Sequence, residues 1–279
     1  MQPSIWSSYF IEDSPETMIE TFAAAGWHAL ELSTEHGEAL LERGDPGRSG
    51  ASFREYAAQR GVSFPQGHLW LTADITGPDQ LQVLDRLRRW LDLFVAAGVG
   101  AAVLHPSRTP MQEETRPADQ MLDLRATALR ALTTHLEGTG TTICLENVSA
   151  APRLDDLLRI LDAVDSPHLG ICLDTGHLNM ADGDQAAFIR GAGAHLKALH
   201  IADNEGQTDQ HLMPYGRGNV DWPIVVGELR GQGYRGLFNL EIPGENRAPR
   251  HVRLAKLDYL RELLRIMLDE SPQSRRPDP

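Results

Sequence analysis

The sequence predicts a (β/α)₈ barrel formed by a single domain, and three observations support this fold class. Segments typical of β-strands alternate with helical segments along the 279 residues, and such alternation predicts a parallel sheet. No stretch with the composition of a domain linker interrupts the series. Histidines and carboxylates follow the strand segments at their carboxyl ends, which meet at one mouth of a closed barrel. An open, doubly wound sheet is the structural alternative.

Eight strand segments are separated by intervals that leave room for a helix. Most are short apolar runs, as expected for parallel strands that are buried on both faces. The segments are residues 4–7, 27–32, 62–68, 101–105, 142–147, 169–174, 196–200 and 236–241.

Helical patterns fill the intervals. The first begins with Ser14 as N-cap and Pro15 at the first helical position. Helices are predicted at residues 15–25, 52–60, 78–97, 117–137, 154–164, 185–191, 222–230 and 252–268. Residues 34–50, rich in glycine and charge, are predicted to form a loop with room for one short helix. We expect the barrel to span residues 1–270 and the proline-rich segment 271–279 to be a disordered tail.

The composition of the chain indicates which binding partners and which cellular compartment to expect. A net charge of −13 disfavours nonspecific binding to nucleic acid or to anionic membranes. Cys144 and Cys172 lie inside apolar runs, which predicts buried thiols in a reducing compartment. The first residues lack the pattern of a signal peptide, and no window is apolar for long enough to span a membrane. A cytoplasmic protein without a membrane partner is therefore expected.

One stretch, residues 196–222, organises the candidate site. It begins with an apolar strand and then places His200, Asp203, Asp209 and His211 on one short loop. The loop is glycine-rich and polar, which suits a backbone that bends closely around an ion or a small substrate. These four residues are candidate ligands.

Polar residues also stand at the carboxyl ends of six strand segments. They are His68, His105, Glu146, Asp174, His200 and Glu241. Any one of them alone is explained as an ordinary strand-end residue that forms hydrogen bonds. Three carboxylates that converge without a cation, however, would repel one another in a partly dry site. A divalent metal resolves the repulsion: with His200, the carboxylates form an oxygen-rich set suited to Mn²⁺, Mg²⁺ or Co²⁺, and to Zn²⁺ if more histidines join.

A second tier of polar residues surrounds this set. His177 follows Asp174 by three positions, and Asp209 and His211 form a D-x-H pair. With His68 and His105 they are candidates for binding substrate hydroxyls or additional metals; the simpler reading of Asp209 and His211 is solvated loop residues. Arg217 could clamp an anionic group, although a lone loop arginine is as often merely solvated.

Four segments resemble the xylose isomerase-like TIM-barrel superfamily, which includes sugar isomerases, sugar epimerases and the endonuclease IV enzymes. They are CLENVS, GICLDTGHLNMA, LKALHIADNEGQTDQHLMPYGRGNVDW and GLFNLEIPGE. For the ketose 3-epimerases of this superfamily, the resemblance implies one divalent metal, often Mn²⁺, on four ligands: Glu146, Asp174, His200 and Glu241. It also implies that the two glutamates act as acid and base on opposite faces of the substrate and that His177 helps to bind it.

The endonuclease IV enzymes are a competing resemblance. Their three-zinc pattern carries over onto nine residues here: His68, His105, Glu146, Asp174, His177, His200, Asp209, His211 and Glu241. However, LWLTADI after His68 lacks their His-x-Ser-Tyr-type signature, and Asp209-Gln210-His211 stands where they have D-R-H. The loop looks more like that of uncharacterised sugar isomerase-like members with H-x-x-D-N-x-G and D-x-H-L patterns. The acidic charge also disfavours a phosphodiester substrate.

The resulting hypothesis is a metal-dependent isomerase or epimerase acting on a sugar or cyclitol. The metal would stabilise an enediolate, while Glu146 and Glu241 remove and return a proton next to the carbonyl. Epimerisation, aldose–ketose isomerisation and dehydration of the keto-inositol type stay open. The alternative is a zinc phosphodiesterase acting on abasic DNA, for which three zinc ions rather than one metal are expected. Similarity to the epimerases also implies a homo-oligomer.

Overall fold

Eight parallel strands form the wall of the barrel in a computed structural model that describes residues 1–106, 116–148 and 153–269. The strands are β1 (Gln2–Trp6), β2 (Ala29–Leu32), β3 (Ser63–His68), β4 (Ala101–Leu104), β5 (Thr142–Glu146), β6 (Leu169–Asp174), β7 (Leu196–His200) and β8 (Leu237–Leu240). Sequential strands pair in parallel from β1 to β7, and β1 also pairs with β8. The Ile201 N–H donates to the Asn239 carbonyl at 2.8 Å, and the Ile201 carbonyl accepts from Glu241 N–H at 3.1 Å. These bonds join the end of β7 to β8, so the (β/α)₈ barrel is confirmed and the open sheet is wrong.

Helices surround the wall. They are α1 (Pro15–Ala24), α2 (Thr34–Leu41), α3 (Pro46–Ala58), α4 (Gln80–Ala97), α5 (Ala118–His135), α6 (Leu154–Val164), α7 (Thr175–Met180), α8 (Gln185–Ala192), α9 (Trp222–Gly231) and α10 (Arg250–Asp269). Ser14 caps α1 as expected, because its hydroxyl accepts the Thr17 N–H. α4 ends at Gly98, whose φ of 83° is the left-handed conformation that glycine adopts readily.

Residues 34–50 contain the one short helix that was allowed for, α2, but the prediction of a loop was wrong for the rest of the stretch, because α3 begins at Pro46 and not near residue 52. The glycines that suggested a loop serve close packing instead. A Cβ on Gly50 would lie 2.4 Å from the Leu93 carbonyl oxygen of α4, and one on Gly37 would lie 2.3 Å from the Trp90 ring. Two helices can therefore approach α4 only because these positions carry no side chain.

The inside of the barrel has two unlike halves one layer beneath the strand ends. Alternate residues of a strand point to the same face, so this layer holds the residues two positions before the strand-end side chains. On β4 to β7 it is an apolar cluster, here called the apolar half: Val103, Cys144, Cys172 and Ala198. On β8 and β1 to β3 it consists of buried polar side chains, here called the polar half: Ser4, Glu31, Gln66 and Asn239. Both cysteines are buried and free, as predicted.

In the described residues, no helix combines the length and the apolar character needed to cross a membrane. The predicted tail at 271–279 lies outside the described residues. A cytoplasmic location stays a prediction.

Candidate metal centre

The six strand-end residues lie at the same mouth of the barrel. Four are the last residues of their strands, and His105 and Glu241 follow β4 and β8 directly. The closest grouping has one ligand atom from each of four buried residues, and these atoms all lie within 4.8 Å of one another: Glu146, Asp174, His200 and Glu241. The structure thus brings together the four residues that the sequence suggested as ligands of one metal.

His200 lies at the centre of this group. Its Nδ1 is 3.2 Å from Oε2 of Glu146 and 3.2 Å from Oε2 of Glu241. Both carboxylates therefore face the same ring nitrogen, and a cation among the three groups would be within reach of all of them.

Buried polar atoms without a hydrogen bond test whether these residues fit a metal. The described residues contain ten such side-chain atoms, and six of them belong to this site: His68 Nε2, Glu146 Oε2, Asp174 Oδ2, His177 Nδ1, His200 Nδ1 and Glu241 Oε2. Such atoms are costly to bury unless something binds them. Imidazole nitrogens and carboxylate oxygens are the donors that Mn²⁺ and Zn²⁺ take in proteins. The donor set therefore fits a divalent transition metal.

Asp174 contacts both the cluster and a short helix that the sequence did not predict. Its Oδ1 accepts the backbone N–H of His177 at 2.6 Å and so caps α7, while its Oδ2 has no hydrogen-bond partner. The side chain of Asn147 exchanges two hydrogen bonds with the backbone of Asp174, at 2.7 and 2.9 Å. The ends of β5 and β6 are thereby fixed to each other, and His177 is directed back towards Glu146.

A second grouping shares Glu146. His68 Nε2 and His105 Nε2 lie 3.5 and 3.3 Å from Glu146 Oε2, and ligand atoms of the three residues satisfy the same 4.8 Å criterion. His68 Nδ1 is 2.8 Å from the Leu69 carbonyl oxygen, so it donates its proton there and leaves Nε2 facing the glutamate. His68 and His105 are therefore positioned as the sequence suggested.

Asp209, with His177 and His211, forms a third grouping at the rim. Asp209 Oδ2 lies 3.3 Å from His177 Nε2 and 3.1 Å from His211 Nε2. His211 Nδ1 lies 2.7 Å from the Glu241 carbonyl oxygen, and its ring stacks on that of Trp6. Asp209 is exposed and His211 is half-buried, and their contacts join both loop residues to His177 and Glu241.

The two glutamates of the cluster differ in acidity. Burial raises the pKa of Glu241 to about 8, although His200 acts in the opposite direction. Burial would also raise the pKa of Glu146, but the neighbouring His200, His105 and His177 hold it well below its ordinary value. Two carboxylates with divergent acidity are suited to acid and base roles in one reaction.

The rim histidines are held in the charged form by their carboxylates. Burial lowers the pKa of His177, but Asp174, Asp209 and Glu146 outweigh this effect and raise it to about 12. For His211, Asp209 and Glu241 likewise outweigh burial and raise the pKa to about 10. Protons therefore compete with any metal for these nitrogens.

Two other residues of the organising loop lie outside the cluster. Asp203 accepts hydrogen bonds from the N–H groups of Asn204 and Val220 and from the Trp222 indole, at 2.9, 3.1 and 2.9 Å. It fixes the loop and was wrongly considered a candidate ligand. The Arg217 side chain is 68% exposed and lies 3.9 Å from Glu205, so the structure does not bring it to the cluster.

Sequence reasoning missed the polar half of the barrel interior. Glu31 Oε1 lies 3.0 Å from His200 Nε2, the ring nitrogen opposite the cluster. A signal was present in the sequence: Gln66 precedes His68 by two positions and Asn239 precedes Glu241 by two, and the alternation of a strand puts such residues on the same inner face. A charged or amide side chain at such a position of a buried strand indicates a polar network.

Comparison with known proteins gives three results. A family model described as "Xylose isomerase-like TIM barrel" matches residues 19–265. A D-psicose 3-epimerase of Enterocloster bolteae is 31% identical over 87 residues, which are 31% of this chain and 27% of that protein. A 3-dehydroshikimate dehydratase of Pseudomonas putida is 25% identical over 291 residues, covering 97% of this chain and 43% of that protein. The chain spans about half the length, or less, of the curated relatives that it matches.

Solved structures extend the likeness to the whole barrel. The crystal structure of a D-psicose 3-epimerase in the presence of D-fructose superposes with a TM-score of 0.80 at 16% identity. The superposition covers 97% of this chain and 100% of that one. At this identity the likeness shows the fold.

Proposed function

Because the chain belongs to the xylose isomerase-like TIM barrel family, we propose that it is a divalent-metal-dependent isomerase or epimerase acting on a sugar or cyclitol. The observation that carries the proposal is the grouping of Glu146, Asp174, His200 and Glu241 within 4.8 Å at the functional mouth of the barrel. Each of these residues has a buried oxygen or nitrogen atom without a hydrogen bond. A bound cation explains both facts at once.

Mn²⁺ is the metal proposed first, with Mg²⁺, Co²⁺ and Zn²⁺ as alternatives. One imidazole among three carboxylates suits a cation that prefers oxygen ligands. When bound, the metal supplies Lewis-acid stabilisation of the negative charge that develops on substrate oxygens as a proton leaves the neighbouring carbon.

Glu146 and Glu241 are the proposed proton carriers. Glu146 is ionised, because three imidazoles face it, and is therefore able to accept a proton. Burial raises the pKa of Glu241 to about 8 in the metal-free site, so this carboxylate holds a proton more readily than Glu146 and is the proposed group that returns one. Proton removal from one face and return on the other, at the same carbon, epimerises the substrate. Return at the neighbouring carbon isomerises an aldose and a ketose.

The remaining polar residues are proposed to bind the substrate. His68, His105 and His177 surround Glu146, and Asp209 and His211 extend the polar wall to the rim. Imidazoles and a carboxylate can donate to and accept from the hydroxyls of a sugar or cyclitol. The D-psicose 3-epimerase relative favours epimerisation, whereas the 3-dehydroshikimate dehydratase relative keeps dehydration as an alternative. Arg217 could take part only by moving from its exposed position, and a homo-oligomer stays a prediction.

A second candidate function is a zinc phosphodiesterase acting on abasic DNA. Three adjoining groupings favour it, because each could hold one metal. They are the four-ligand grouping, the grouping of His68 and His105 with Glu146, and the grouping of His177 and His211 with Asp209. The acidic charge of the chain weighs against a nucleic-acid partner. Metal count separates the two candidates, since the isomerase needs one metal per chain and the nuclease needs three.

Solvent exchange tests the first proposal. Ketoses, keto-inositols and their phosphates are incubated with the Mn²⁺-loaded protein in D₂O, and loss of C–H signals is followed by proton NMR. We expect metal-dependent exchange with at least one of them. Glu146→Gln and Glu241→Gln should each slow it roughly 100-fold to 10,000-fold, the usual contribution of a general acid or base.

Glu137→Gln is the matched control, because Glu137 is exposed and follows α5 at the opposite end of the barrel. It should leave exchange unchanged, and circular dichroism should show all three variants folded. Exchange at the native rate in both site variants would overturn the assigned roles. Three tightly bound zinc ions per chain together with cleavage of duplex DNA at an abasic site would instead establish the nuclease.

A further inference from the structure

Glu31 lies inside the barrel, directly below the candidate metal centre. Its side chain is 1% exposed and that of His200 is 0% exposed. The two are joined by a 3.0 Å contact between Glu31 Oε1 and His200 Nε2, across the barrel from β2 to β7. Since an ionised carboxylate only accepts hydrogen bonds, Nε2 carries the proton. The other ring nitrogen, Nδ1, lies 3.2 Å from an oxygen of Glu146 and of Glu241 and is the nitrogen that would bind a cation once it carries no proton.

The rest of the polar half keeps Glu31 in place. Glu31 Oε2 accepts hydrogen bonds from the side-chain amides of Gln66, at 3.2 Å, and of Asn239. Gln66 also donates to the Leu199 carbonyl at 3.1 Å, and Asn239 accepts from the Ser4 hydroxyl at 2.9 Å. Each amide is thus oriented by a second bond that fixes which end faces the carboxylate. The network presents donors to one oxygen of Glu31 and leaves the other to His200.

We propose, on the basis of the metal centre proposed above, that Glu31 is a positioning residue that fixes the tautomer and the ring orientation of His200 for metal binding. A histidine that ligates a metal through one nitrogen is improved as a ligand when a carboxylate holds the other N–H. The carboxylate also adds negative charge beneath the cation. Glu31 acts through His200 and does not touch the substrate.

The alternative is that Glu31 only satisfies the buried donors around it. Metal affinity separates the two roles, because a residue that serves folding alone leaves the affinity of the folded protein unchanged. In Glu31→Gln, the oxygen of the new amide can face His200 or the amides of Gln66 and Asn239, but not both. In either orientation, the NH₂ group of the new glutamine faces another N–H donor. His200 Nε2–H also loses the negatively charged oxygen that accepted its hydrogen bond.

The experiment is a titration of metal-free native protein and variants with Mn²⁺, followed by calorimetry. We expect the native chain to bind Mn²⁺ and Glu31→Gln to bind it roughly 10- to 100-fold more weakly, as for other carboxylates that hold ligand histidines. Glu31→Asp retains the charge on a shorter side chain and should give an intermediate affinity. Glu137→Gln is the matched control: it makes the same chemical change at an exposed position outside the barrel interior, and its affinity should match that of the native protein.

Nitrogen NMR of the His200 ring in the native Zn²⁺-loaded protein gives a readout that does not require the variants to fold. We expect a proton on Nε2 and none on Nδ1. A folded Glu31→Gln variant with native Mn²⁺ affinity would overturn the positioning role while leaving the metal centre in place. A proton on Nδ1 in the Zn²⁺-loaded native protein would overturn both the positioning role and His200 as a ligand. A native chain that binds no divalent metal would overturn the proposed function itself, and with it the role of Glu31.

Discussion

The two halves of the layer beneath the candidate metal centre differ in whether their side chains form hydrogen bonds with one another. The apolar half, on β4 to β7, presents two thiols and two aliphatic side chains that pack on one another. The polar half, on β8 and β1 to β3, presents a hydroxyl, a carboxylate and two amides joined in one network. The same barrel layer is therefore held by apolar packing on one side and by a hydrogen-bonded side-chain network on the other.

This difference corresponds to two kinds of proposed ligand: carboxylate oxygens without a hydrogen bond, and a histidine whose ring is fixed by a hydrogen bond. The strands of the apolar half end in Glu146 and Asp174, each with a buried oxygen that has no hydrogen-bond partner. Among the described residues, the thiols and aliphatic side chains beneath them form no hydrogen bond with those oxygens. His200 also stands on this side, but its second nitrogen reaches across to Glu31 in the polar half. The site thus combines unpartnered oxygens with one histidine whose orientation is fixed.

The largest effect on folding should follow from breaking the polar half. In Asn239→Leu, a side chain of similar size removes the acceptor of the Ser4 hydroxyl and one donor to Glu31. Because both groups are buried and lose a partner, we expect the free energy of unfolding to fall by about 3 kcal/mol. Urea unfolding of the metal-free protein measures this loss.

A double-mutant cycle with Ser4→Ala checks the cause of that loss. The Ser4→Ala substitution leaves no hydroxyl to be unpaired, so the double variant should recover about 1 kcal/mol relative to Asn239→Leu. A single Asn239→Leu variant as stable as the native protein would show that the polar half is not a tightly coupled network.

Binding of the metal should change the free energy of unfolding by a somewhat smaller amount. At a free Mn²⁺ concentration 100 times the dissociation constant, binding to the folded chain stabilises it by about 2.7 kcal/mol. Glu146→Gln, which removes an unpartnered oxygen, should abolish the increment. Asn239→Leu should diminish it at the same Mn²⁺ concentration, because it loosens Glu31 and so His200. Thermal unfolding with EDTA or Mn²⁺ measures the increment, and equal melting temperatures of the native protein in both conditions would contradict the prediction.

The sequence alone predicted the strand-end residues well, because each follows a short apolar run. α6, β6 and β7 have the predicted bounds, since they are short apolar or amphipathic segments with clear ends. The first turns of α3 were missed because Gly50 looks like a loop residue until Leu93 of α4 is seen to pack against its backbone. Only the fold reveals such a close approach.

The support beneath the site was harder to predict for a different reason. Glu31 and His200 are 169 positions apart, and a glutamate in a short strand is equally consistent with an exposed edge. α7 was missed because its six residues are too few for a periodic pattern, and because Asp174 was considered only as a ligand, not as the cap of this helix. Local sequence therefore identifies the proposed ligands, whereas long-range pairing determines which side chains hold them in place.

The smallest change in the free energy of unfolding should follow from a substitution in the apolar half. Cys172→Ala removes one buried sulfur atom, and the small cavity should cost about 1 kcal/mol of unfolding free energy. Burial raises the pKa of the Cys172 thiol well above its ordinary value, so the thiol stays protonated and does not compete for the metal. The Mn²⁺ affinity of Cys172→Ala should therefore equal that of the native protein, in contrast to Glu31→Gln. Urea unfolding and Mn²⁺ titration of the same preparation measure both quantities. A Mn²⁺ affinity of Cys172→Ala that fell as much as in Glu31→Gln would show that the apolar half also orients the proposed ligands. The two sides of the barrel would then not differ in this respect.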